Sequence, residues 1–202
     1  EFEILDKSEK RIVLDSKKLN IKGIYIVKEN KENTPLKYEI VTDHSAVESL
    51  GTPIVIEIPE DHKEDIIKVH IDYATTPSSD GILWIEKHQT LTQKHPFVFT
   101  QGEAILGRTI FPCQDTPSSK VIFRSVSLIA EKGITALFSG QSLSTKDILY
   151  LNKECTEFNY TQKVNIPTYL FSIAAGELEY KRLSDRCGIY SEIPLLESAA
   201  EE

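Results

Sequence analysis

The feature that most constrains this chain is an alternation of apolar and polar side chains with a period of two. Ile67, Val69, Ile71 and Tyr73 alternate with Lys68, His70 and Asp72. Successive side chains of a strand point to opposite faces, so this run presents an apolar face one way and a polar face the other. Ile54 to Ile58, Ile24 to Val27 and Tyr38 to Val41 read as further strands. Lys120 to Ala130, Ile134 to Ser139 and Phe158 to Val164 do the same, and Thr168 to Tyr180 reads as one long strand through Gly176. Turn-forming residues separate the runs: Asn30 to Pro35, Pro77 to Gly81, Pro117 to Ser119 and Gly140 to Ser144. Short strands spaced by roughly 8 to 12 residues imply an all-β sandwich or barrel. Thr145 to Leu151 is the one stretch that suits a short helix, and Glu197 to Glu202 closes no structural pattern. No repeat, low-complexity tract or Pro-rich linker interrupts the chain, so a single domain is expected.

Charge narrows the function. The 202 residues carry 23 basic and 31 acidic side chains, a net of −8. A nucleic-acid binder needs a basic face to displace counterions from phosphates, and docking on anionic lipid needs Lys/Arg clusters. Neither is present. No apolar run approaches the roughly 18 residues of a membrane-spanning helix, and Glu1 to Arg11 lacks the apolar core of a signal peptide. There is no methionine and residue 1 is Glu, which reads as a fragment, a processed product or a portion of something longer. Cys113, Cys155 and Cys187 are odd in number and widely spaced, so free thiols in a reducing, cytoplasmic setting are expected rather than a disulfide framework. The triplet Asn159-Tyr160-Thr161 is a weak glycosylation signal.

Common catalytic patterns are missing. His44, His62, His70, His88 and His95 never form the H-E-x-x-H spacing that puts two imidazoles on one helical face around zinc. They read as solvated or hydrogen-bonded side chains. No G-x-S-x-G supplies a nucleophile elbow, and Cys113, between Pro112 and Gln114, reads as a buried structural cysteine. Gly102 and Gly107 are too sparse for a phosphate-binding loop.

The segment Lys94 to Pro117 is the densest in chemistry. Gln101 and Glu103 share a parity, so on an extended strand they point the same way, with Gly102 between them to admit a ligand or another backbone. An amide and a carboxylate so placed can bind an ammonium group. The same pattern also suits a polar edge strand.

Thr100-Gln101-Gly102-Glu103-Ala104, followed by Phe111-Pro112-Cys113-Gln114-Asp115-Thr116-Pro117, resembles the N-terminal domain of the zinc aminopeptidases that include leukotriene A(4) hydrolase, aminopeptidase B and aminopeptidase N. Val13-Leu14-Asp15, Leu83-Trp84, Lys94-His95-Pro96-Phe97 and Val164 to Glu179 extend the resemblance over nearly the whole chain. It implies a saddle-shaped, all-β domain of antiparallel or mixed sheets with few short helices, over residues 1–190. Residues 191–202 would begin a linker to a catalytic domain. The G-x-M-E-N and H-E-x-x-H motifs of that catalytic domain are absent here, so zinc is expected outside these residues. In the resemblance Glu103 holds the free α-amine of a peptide substrate, while Gln101 and Ala104 shape the first side-chain pocket. Pro112, Cys113, Asp115 and Pro117 do structural work, Asp115 by accepting backbone N–H bonds, and Arg108 pairs with a carboxylate the sequence does not identify. The leukotriene A(4) hydrolase branch carries Gln where this chain has Glu103, which points toward a plain aminopeptidase. The same family also lends such a domain to a non-catalytic scaffold, and Gln101 with Glu103 favour the enzyme over it.

Overall fold

The structure, a computed structural model, describes residues 1–28, 33–42 and 47–201. Residues 30–32 of the first expected turn, and His44, lie outside them. The chain folds into two compact units: Glu1–Gly81 with Glu103–Ser119, and Ile82–Gly102 with Lys120–Glu202. Every strand ladder among the described residues is antiparallel. The all-β class read from the alternation holds.

The first unit contains β1 (Phe2–Glu3), β2 (Arg11–Leu14), β3 (Leu19–Ile26), β4 (Thr34–Pro35), β5 (Tyr38–Ile40), β6 (Ile54–Glu57), β7 (Ile66–Ile67) and β8 (Val69–Thr75). They pair as β1-β7, β2-β6-β5 and β4-β3-β8. Across β2 and β6, Ile12 lies opposite Ile56 and Leu14 opposite Ile54. All four are buried, with Ile24, Ile26 and Ile67, in one apolar core. Arg11 opposite Glu57 and Val13 opposite Val55 take the other face, and Val13 is 49% exposed. Burying each of these aliphatic side chains stabilises the unit by about 1.5–3 kcal/mol.

A charged corner ties β3 to the chain after β8. Asp80 accepts from Lys17 Nζ and Lys18 Nζ, both at 2.8 Å. Lys18 sits in the left-handed region at φ 56°, and Thr76 Oγ1 donates to its carbonyl at 2.9 Å. The hydrogen bond from Lys17, reinforced by that from Lys18, holds the Asp80 carboxyl at about 2, down from 3.8. A depressed carboxyl stabilises the fold above its unfolded value, and that contribution disappears as pH falls through the folded one. Wild type is therefore expected to exceed Asp80→Asn in denaturant midpoint at neutral pH. The gap should close as pH falls from about 4 to about 2. A gap independent of pH would rule out the ion pairs as its cause.

The second unit contains β9 (Ile82–Ile85), β10 (Phe97–Thr100), β11 (Lys120–Glu131), β12 (Thr135–Phe138), β13 (Gln141–Tyr150), β14 (Lys153–Pro167), β15 (Ile173–Gly176), β16 (Leu178–Arg182) and β17 (Gly188–Glu192), then one helix, α1 (Leu196–Glu201). The sheets run β12-β15-β10-β9, β11-β14-β13 and β16-β17. Phe138 anchors the aromatic core, with ring centroids 5.2 Å from Phe171, 5.9 Å from Phe123 and 6.0 Å from Tyr160. The buried Tyr160 hydroxyl donates to the Ala136 carbonyl at 2.7 Å, so this polar group goes inside with a partner.

Several local expectations are corrected. Thr145 to Leu151 is not helical: β13 runs through Tyr150 and turns back into β14. Leu151 and Asn152 form a two-residue turn at φ 50° and 63°, the all-positive geometry whose twist matches paired strands. The expected long strand from Thr168 to Tyr180 is broken, because Thr168–Leu170 is a 3-10 turn and Glu177 separates β15 from β16. Glu197 to Glu201, expected to close no pattern, lies in α1. The glycosylation triplet lies inside β14, the central strand of its sheet. Thr161 is buried and donates to the Arg124 carbonyl at 2.9 Å, so the triplet is a structural element.

Candidate functional site

β10 ends at Thr100, and Glu103 opens a turn that runs to Leu106. The strand parity expected to align Gln101 with Glu103 therefore stops before it reaches the carboxylate. The division between the units falls between Gly102 and Glu103. Gln101 belongs to the second unit, and Glu103 and Ala104 to the first. All three are exposed, and the peptide bond between Glu103 and Ala104 is cis.

Gly102 is buried against the chain at Tyr169, within the second unit. A Cβ there would stand 2.6 Å from the Tyr169 carbonyl oxygen and 2.9 Å from its Cα. Of a ligand and a backbone, the close neighbour of this glycine is a backbone. Main chain cannot move aside as a flexible side chain does. Gly102→Ala is expected to cost about 1–3 kcal/mol of stability, as overpacked sites do, read as a lower thermal midpoint. An unchanged midpoint would mean the 168–170 turn yields freely.

Beyond the turn, the first unit fixes the chain tightly. Gly107–Thr109 is a fully buried 3-10 turn. Arg108 places its side chain, 6% exposed, beside the Asp115 carboxylate, 1% exposed. Its main-chain N and its Nε both donate to Asp115 Oδ2, at 3.1 and 2.9 Å. The guanidinium also donates to the Asp115 carbonyl at 3.1 Å and the Leu50 carbonyl at 2.7 Å, and its Nη1 lies 3.4 Å from Asp15 Oδ1. Asp15 then accepts from the Asp115 main-chain N at 2.9 Å. The unidentified carboxylate partner of Arg108 is thus Asp115, with Asp15 beside it.

Asp15 and Cys113 form an isolated antiparallel bridge, with N–H to O distances of 2.7 and 3.2 Å. Cys113 is buried, Pro112 is half-buried and Pro117 is exposed. Burial, with the Cys113 thiol nearby, pushes the Tyr73 hydroxyl up to about 12. Thr109 locks the other end of the segment: its hydroxyl donates to the Leu106 carbonyl at 2.7 Å and accepts from the Gly81 N–H at 2.9 Å. Sequence reasoning missed Asp15 and Thr109. Asp15 stands about a hundred residues from its partner and entered only with Val13 and Leu14 as part of the resemblance, and Thr109 carries no motif of its own.

Among the described residues, no group of three or more His, Cys, Asp or Glu side chains is gathered to hold a metal ion. No helix among them is long and apolar enough to cross a membrane. His62 Nε2 is buried without a hydrogen-bond partner. His70 stacks obliquely on Tyr25, ring centroids 5.9 Å apart, and the His95 carbonyl accepts from Thr90 Oγ1 at 3.0 Å.

The site therefore comprises an exposed carboxylate in a turn, followed by a chain clamped by a buried ion pair. The model of the peptidase M1 N-terminal domain matches residues 1–170. The chain belongs to that family. Curated relatives of this M1 N-terminal domain include leucine aminopeptidase 2 of Chaetomium globosum, 32% identical over 90% of this chain. Leukotriene A-4 hydrolase of Xenopus laevis is 33% identical over 98% of it. This chain spans 28% and 31% of their lengths, respectively. The native yeast LTA4 hydrolase structure superposes on the M1 domain with a TM-score of 0.80 at 28% identity, covering 98% of this chain and 28% of the other. An M1 zinc metallopeptidase from Deinococcus radiodurans shares the fold, with a TM-score of 0.62 at 18% identity over 90% of this chain and 38% of its own.

Proposed function

We propose that this M1 N-terminal domain forms the substrate-amine wall of a zinc-dependent aminopeptidase that removes N-terminal residues from peptides. In this reading residues 1–190 are the pocket domain, and residues 191–202 lead toward a catalytic domain. The observation that carries it is the exposed Glu103 carboxylate, held in a turn of a domain whose relatives are named aminopeptidases.

A peptide's free N-terminus is an ammonium group. The Glu103 carboxylate accepts a charge-assisted hydrogen bond from it, about twice as strong as a neutral one. Because only the first residue carries that ammonium, the contact sets where the substrate begins. Cleavage is then confined to the end of the peptide. The resemblance also assigns Gln101 and Ala104, on either side of Glu103 in the sequence, to recognition of the first side chain. Glu103, where the leukotriene A(4) hydrolase branch has Gln, favours a peptide over an epoxide lipid as substrate. Among the described residues none are gathered to suit a zinc ion, so the metal is assigned to the remainder of the parent protein. None of the three cysteines is in a disulfide, which supports a cytoplasmic setting.

The intact mass of the native protein is the first test. A chain spanning 28–31% of its relatives leads us to expect a mass about three times its own 22.9 kDa, with G-x-M-E-N and H-E-x-x-H in the continuation. A native mass of 22.9 kDa would make the domain a free-standing binding module instead.

A further inference from the structure

We infer that Arg108, gripped by Asp115 and Asp15, is a positioning residue for Glu103. The inference rests on the reading that Glu103 receives the substrate's amine. Glu103 is exposed and makes no hydrogen bond of its own among the described residues. Its place therefore depends on the backbone that carries it. That backbone is first anchored at Leu106, whose carbonyl accepts from both the N–H and the hydroxyl of Thr109.

Arg108 follows two residues later and joins three segments of the first unit. Its main-chain carbonyl accepts from the Lys17 N–H at 2.9 Å. Its guanidinium reaches the Leu50 carbonyl and both carboxylates. Main-chain N and side-chain Nε converge on one oxygen, Asp115 Oδ2, so the side chain fixes its own backbone as well as its partner's. Asp115 in turn is held by Asp15 through its own N–H. The forked, planar guanidinium satisfies these directions at once, and an ammonium cannot. A buried pair contributes little net stability over an apolar replacement, yet it fixes one geometry. A substrate ammonium needs that, because a displacement of about 1 Å at a binding carboxylate is enough to weaken the contact severely.

The test uses the full-length parent protein, with a short peptide substrate, in four forms: wild type, Arg108→Lys, Glu103→Gln and the double variant. Arg108→Lys keeps the charge and loses the fork. It is expected to raise KM about tenfold with kcat little changed, at a temperature where its circular dichroism is that of wild type. In the Glu103→Gln background the same change should raise KM less than about twofold, since residues acting through one contact are not additive. An equal rise in both backgrounds, or an unchanged KM with only a lower melting temperature, would reduce the clamp to a structural role. If Glu103→Gln alone leaves KM unchanged, the amine reading fails and takes this inference with it. Should Arg108→Lys prove unfolded, Arg108→Met with Asp115→Asn provides the second test. That pair removes both buried charges, while the introduced amide still offers an oxygen to the main-chain N–H of position 108, and the same KM pattern decides.

Discussion

Asp115→Ala is expected to lower the unfolding free energy by about 3–5 kcal/mol, the cost of leaving one member of a buried ion pair alone. Arg108 would keep its charge at 6% exposure. Its Nε and main-chain N would both lose their acceptor, Asp115 Oδ2. Asp15, 3.4 Å from Nη1, is the one nearby carboxylate left to it among the described residues, and it stands on the opposite arm of the guanidinium. The measurement is urea denaturation at neutral pH, comparing midpoints at constant slope. A change below about 1 kcal/mol, the value of an exposed pair, would mean that water or Asp15 replaces Asp115 at little cost.

How much of this was legible in the sequence depends on whether the deciding force was local. The alternation of Ile67 to Tyr73 is local, and Val69 to Tyr73 lies in β8, but the run is broken at Lys68: Ile67 belongs to β7, which pairs in a different sheet. The Ile54 and Ile56 side chains alternate for the same reason and reach 0% exposure. Leu149-Tyr150-Leu151 is locally ambiguous, with apolar residues in sequence that suit a helix as well as a strand. Pairing with Lys153 and Glu154 decided it, with Asn152 supplying the left-handed turn. Thr168 to Tyr180 misled because it is mostly apolar and rich in strand-forming residues, but a 3-10 turn follows Pro167 and buries Thr168 at 1% exposure. Strand parity failed at Glu103 because β10 stops three residues earlier, at Thr100. The partner of Arg108 was beyond reach for another reason. Asp115 is seven residues away and Asp15 ninety-three, and no periodicity links either to it.

The carboxylate itself provides the second large effect. Glu103→Gln keeps the side chain's shape and removes its charge. A hydrogen bond to a charged group contributes about 1.5–3 kcal/mol. Its loss should raise KM for a peptide with a free amine by about 10- to 100-fold. In the proposed reading the contact is to a group that does not react, so ground state and transition state would lose it together and kcat should change little. Steady-state kinetics on the full-length parent protein checks this. If KM holds and kcat falls alone, Glu103 acts on the reacting atoms and not on the amine. A Gln that hydrolyses peptides as well as Glu would also remove the reason for preferring a peptide over an epoxide lipid.

As proposed above, this domain is the pocket wall of a zinc aminopeptidase. The most direct measurement is release of the first residue from a short peptide by the native protein, with and without a zinc chelator. We expect release that the chelator abolishes and added zinc restores, with no cleavage of the same peptide acetylated at its N-terminus. A native protein that releases nothing, or that cuts the acetylated peptide equally well, would contradict the account.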